Sequence, residues 1–154
     1  MKLGIKKVHE NEWLVHIGYA SIRLDRFSVE LLNITLEHLV ALEHGQTHST
    51  LTSYIKLGCR IRELDDAGVQ LLVRGVDNQD LLKLMLVAQD ETLNEVVLRN
   101  VGGILAKQLN ADMANPAPPN NDEAKAAIKR VVEKMFELEC QGKIEFFDKN
   151  TQYI

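Results

Sequence analysis

The hydrophobic pattern changes period near residue 28. Before it, Trp13, Val15 and Ile17 alternate with Leu14 and His16, and Ile22 and Leu24 alternate with Ser21 and Arg23. That period of two marks half-buried strands. Gly18-Tyr19 predicts the tight turn between them, and residues 2–8 can add a third strand. A two-stranded ribbon is barely stable alone, so this one must lie on helices or on another chain.

From Ser28 the apolar residues Val29, Leu32, Leu36 and Leu39 recur at helical spacing, with Ser28 as the expected cap and Gly45 as the stop. A second helix opens at Ser49 or Thr50 and runs through Ile61 to about Arg62. Beyond Leu64 short helices follow with clear punctuation: Asp65 or Asp66, Asp77 or Asn78, and Asp90 at starts, Gly75 and Gly102-Gly103 at breaks. Residues 114–121 hold all three prolines and no charge, which predicts an extended exposed loop. Asp122 is then expected to cap the longest helix, residues 123–140, with Gly142 left-handed beyond its end and residues 144–147 folding back as a short strand or tail. These helices are too short to stand alone. The expected fold is mainly α, a compact right-angled or armadillo-like helical bundle with a small N-terminal β-hairpin element, divided into residues 1–63 and 64–154.

Composition narrows the function. The 154 residues are 45% hydrophobic, 26% charged and only 5% aromatic, with a net charge of −4. Residues 1–63 carry +1 and residues 64–154 carry −5. Mild acidity and few rings argue against a nucleic-acid partner. The longest apolar runs fall far short of the roughly 20 residues of a membrane span, and no signal-peptide pattern follows Met1, so a cytoplasmic protein is expected. Cys59 and Cys140, about 80 residues apart and outside any Cys-x-x-Cys pair, read as reduced, wholly or partly buried thiols.

No phosphate loop, dinucleotide fingerprint, nucleophile elbow or His-Glu-x-x-His motif is present. His38, His44 and His48 cluster in sequence beside Glu37 and Glu43. Zinc needs three or four such ligands on a common face, and His44 and His48 share one only if a helix continues through Gly45. Asp65-Asp66 is explained more simply by helix capping than by paired acid–base chemistry. An enzyme is not expected, nor a cofactor.

The order and spacing of several short motifs carry a resemblance. Leu64-Asp65-Asp66, Val69-Gln70, Leu72, Val76-Asp77 and Leu81-Leu82, then Leu98-Arg99-Asn100-Val101, then Leu138-Glu139-Cys140-Gln141-Gly142-Lys143-Ile144 together resemble the C-terminal domain of the flagellar motor switch protein FliG. Upstream, Glu43-His44-Gly45-Gln46 is similar to the Glu-His-Pro-Gln motif by which the FliG middle domain meets its partner FliM, with glycine in place of proline; a helix-loop-helix joint explains the same letters. Met135-Phe136-Glu137-Leu138 echoes a hinge motif of that family but falls inside the last long helix.

The resemblance implies an exposed charged ridge that meets the stator and transmits torque. Here Leu86 stands where the family has a ridge lysine, Ile104 where it has a ridge arginine, and of the paired aspartates only Asp112 remains, beside Ala111. The proline loop replaces the family's Gly-Pro-Val-Arg turn. Neutral aliphatics cannot steer a charged partner and leave an apolar patch, for which the N-terminal ribbon, another protein or a second copy is the expected cover. The expectation is a non-enzymatic accessory or adaptor of the motor switch, contacting partners through Glu43, His44 and Gln46 and through Leu86, Ile104 and Asp112. Two alternatives stand beside it: a working rotor subunit using Lys107, Asp112, Lys125 and Arg130, and a ligand- or metal-responsive regulator using His38, His44 and His48.

Overall fold

The computed structural model describes residues 1–147, so the last seven residues of the segment 64–154 lie outside the described residues. Packing divides the chain into two units, Met1–Ser53 and Tyr54–Ile154.

The first unit opens with three antiparallel strands in the order β1-β2-β3: β1 (Leu3–His9), β2 (Glu12–Ile17) and β3 (Ala20–Asp25). Residues 2–8 do supply the third strand, one residue later than the pattern placed it. The register sets Leu3 opposite Ile17, Ile5 opposite Val15, and Val15 opposite Ile22. Directly opposed residues project from the same side. One face is therefore almost wholly apolar, completed by Trp13 and Leu24, while Lys6, His16, Ser21 and Arg23 occupy the other.

Helix α1 (Arg26–Ala41) begins two residues before the expected cap, because Asp25 rather than Ser28 accepts the first-turn hydrogen bond, from the Ser28 N–H at 2.8 Å. It also ends before Gly45: Leu42 is already extended, and its N–H returns to the Leu39 carbonyl. Only Phe27 of this helix is buried.

Helix α2 (Thr50–Gly58) spans the boundary between the units and tightens into a 3-10 turn, Cys59–Glu63. The remaining helices are α3 (Asp66–Gly75), α4 (Asn78–Ala88), α5 (Glu91–Asn100), α6 (Gly103–Ala114) and α7 (Asn121–Cys140). Asp65, Asp77 and Asp90 cap α3, α4 and α5. Asn120, not Asp122, caps α7 by accepting from the Glu123 N–H. Each such cap contributes about 1 kcal/mol.

The core of the second unit lies between α7 and α4, with α3 on α5 and α6 against α4 and α5. Leu81, Leu84 and Met85 of α4 and Ile128, Val131 and Met135 of α7 are fully or almost fully buried. Met135 and Phe136 thus belong to an uninterrupted helix, not a hinge. Past α7, Gly142 takes φ +71°, and the N–H groups of Gly142 and Lys143 return to the carbonyls of Glu139 and Leu138. This pair of bonds closes the helix end. Residues 144–147 form no strand; they fold back as a tail, with Ile144 buried and the Phe147 N–H on the Glu63 carbonyl at 2.7 Å. The whole is a mainly helical bundle with a small N-terminal three-stranded sheet.

Candidate functional site

The loop between α1 and α2 carries Glu43, His44 and Gln46, all exposed. The Gln46 N–H donates to the Glu43 carbonyl, and the Glu43 N–H donates to the Gln46 side-chain oxygen at 2.8 Å. The turn is closed at both ends by its own groups. Gly45, its third residue, sits at φ +85°, a backbone that proline, fixed near −65°, cannot take. This turn and a Glu-His-Pro-Gln turn therefore differ in backbone at that residue.

The structure separates the histidines. His38 and His48 approach, with ring centroids 5.0 Å apart, whereas His44 sits on the exposed turn. His48 Nε2 lies 3.1 Å from the hydroxyl of Ser53, which is fully buried and also receives the Thr35 hydroxyl. Among the described residues no group of three or more His, Cys, Asp or Glu side chains could hold a metal ion. Cys59 is buried, and burial raises its thiol pKa; Cys140, expected to be at least partly buried, is exposed.

Leu86 and Ile104 do not make one patch. Leu86 is half-buried in a groove of about 300 Å³ with Gln89, Asn94, Met113, Pro116 and Pro118. The proline loop and the end of α6 line the space beside it. Asn94 Oδ1 in this groove is buried with no donor among the described residues. Ile104 lies at the opposite end of α6, roughly 13 Å of helix rise from Met113, and is 88% exposed. Lys107, Gln108 and Ala111 follow it at helical spacing and are exposed too, so this face of α6 carries a single charge. Asp112 is half-buried.

Two of the other candidate ridge charges are already engaged. The Arg130 guanidinium donates to both carboxylate oxygens of Asp80, at 2.7 Å each, and Asp80 is buried. Lys125 lies over the Tyr54 ring, 5.9 Å from its centroid. The Asp80–Arg130 pair escaped the sequence pattern because 50 residues separate its members.

The short motifs converge in space. At the start of α3, Asp66 accepts from Asn100 at 3.0 Å and from Arg99 at 2.9 Å, and Gln70 donates to Asn100. The Asn100 amide also caps its own helix on the Val96 carbonyl. The hydrogen bond from Asn100, then that from Arg99, lowers the Asp66 pKa below the ordinary carboxylate range. The closing segment arrives at the same helix: Gly68 lies beside Ile144, and Asp65, Gly142, Lys143 and Phe147 line one shallow cleft. These contacts tie the start of α3 to the end of α5 and to the closing segment.

Among the described residues no helix is long and apolar enough to cross a membrane. No curated protein matches the chain. The model of the FliG C-terminal domain matches residues 59–146, from the 3-10 turn to the folded-back tail, which is more than half of the sequence. With its motif residues meeting between α3, α5 and the end of α7, the chain belongs to the FliG C-terminal domain family.

Proposed function

We propose that this protein is an accessory or adaptor of the flagellar motor switch that works by protein–protein contact and does not generate torque. The face of α6 carries the reading: Ile104, Lys107, Gln108 and Ala111 are exposed, and only one of them is charged. Torque transmission by electrostatic contact needs charges at fixed spacing, and Arg130 and Lys125 are held by Asp80 and Tyr54. In this reading residues 64–154 are the switch-like module and residues 1–63 its partner-specific addition. Glu43, His44 and Gln46 meet a FliM-type switch protein; Leu86, Ile104 and Asp112 are separate points of partner contact in place of the charged ridge. The place of action is cytoplasmic, at the periphery of the flagellar basal body.

The test immobilises the full chain and passes over it a purified FliM-type switch protein or the cytoplasmic part of a stator subunit. Binding of the first, weakened by Gln46→Ala, with no salt-dependent binding of the second, is the expected result. Stator binding that falls with salt and is lost in Lys107→Glu, together with lost swimming, establishes a rotor subunit instead.

A further inference from the structure

A cleft of about 450 Å³ opens in the second unit where α3 ends, α4 begins and α5 meets α6. Residues 64–154 carry −5 overall, yet among the described residues no carboxylate lines this cleft. Two guanidiniums line it instead, those of Arg74 and Arg99, in the last turns of α3 and α5. Arg74 is exposed and has no partner among the described residues. Arg99 gives its Nε and Nη2 groups to Asp66, which lies outside the cleft, and keeps its Nη1 hydrogens unclaimed. The Asn78 amide is a further lining group without a partner. Val73, Val101 and Leu105 make up the apolar wall.

We infer that this cleft docks an acidic segment of a partner protein, with a glutamate or aspartate carboxylate on the free Arg74 guanidinium and the Nη1 group of Arg99. Charge complementarity selects the occupant. A guanidinium presents its donors in a planar fork that matches the two oxygens of a carboxylate. The apolar wall suits an aliphatic residue beside that acid, and the volume falls within the range of small binding sites. A nucleic acid does not fit the same surface. Phosphate-backbone binding needs rows of cations, whereas this cleft has two, with Asp66 and the α4 cap Asp77 close in sequence to its walls. The inference rests on the cleft alone and holds or fails whether or not the chain acts at the motor switch.

Fluorescence anisotropy of the full chain with a labelled acetyl-Gly-Leu-Glu-Glu-Leu-Gly peptide tests it. Saturable binding that weakens with salt is expected, together with a loss of about tenfold or more in Arg74→Ala. Arg74→Glu should abolish binding and transfer the preference to the same peptide with lysines in place of its glutamates. Arg74 ties no elements together, so both variants should keep the wild-type circular dichroism spectrum; Arg99 is left intact because it also holds Asp66. Lys6→Ala, on β1, should bind like the wild type. Equal binding of the glutamine version of the peptide, or unchanged binding in Arg74→Ala, overturns the inference. So does a peptide that does not bind, including the case in which inorganic phosphate alone occupies the cleft.

Discussion

Gly58 shows how one missing Cβ can set a stability. Its backbone is helical, with φ −61° and ψ −37°, so alanine fits the conformation. In a helix interior that exchange ordinarily stabilises by up to about 1 kcal/mol. Here an added Cβ would lie 2.5 Å from Leu84 Cδ1 and 3.4 Å from Ile128 Cγ2, and both side chains are fully buried. They have no open space to move into, and overpacking of this kind costs about 1–3 kcal/mol. Gly58→Ala should therefore lower the urea midpoint, the reverse of the propensity expectation. The sequence marks Gly58 only as a glycine inside an apolar helical run. The neighbours that decide its sign lie 26 and 70 positions away.

Between elements, the joint of α3 and α5 titrates. With the folded-state pKa of Asp66 lowered by Asn100 and Arg99, its contribution is present above the ordinary aspartate value of about 3.9 and is lost as pH falls through the lower folded value. Carbon-detected NMR titration should find Asp66 below that ordinary value. Asn100→Ala and Arg99→Met should each move it back up, Asn100→Ala further. This scale also shows what the sequence made legible. Asp90 was readable as a cap, and Asp65 and Asp77 to within one residue, because a short polar side chain before an apolar run has one local use. Asn120 and Asp122 offered the same chemistry two residues apart, and only the path of the proline loop selects between them. Helix α1 stops at Ala41 because Leu42 turns extended, which no residue type announces. Asp66 read as a cap, yet its partners stand 33 and 34 residues away. The groove beside Leu86 was illegible for a similar reason: the pattern identifies a loop but not what it lines.

Across the whole molecule the core is unevenly shared. Nearly every fully buried large side chain belongs to the second unit, above all to α4 and α7. Amide exchange should accordingly be slowest in α4 and α7 and orders of magnitude faster in β1–β3. Equal protection in the sheet and in α7 would contradict that uneven sharing. The two-part architecture was visible in the change of hydrophobic period, whereas the apolar face of the sheet needed the register of β1 against β2. The α6 face has a thermal consequence as well. A partner held around Ile104 gains mainly from apolar burial, which weakens on cooling, and with Lys107 as the one charge its affinity should change little with ionic strength. An assembly seated there would loosen in the cold and hold in brine, opposite to one clasped by rows of charge.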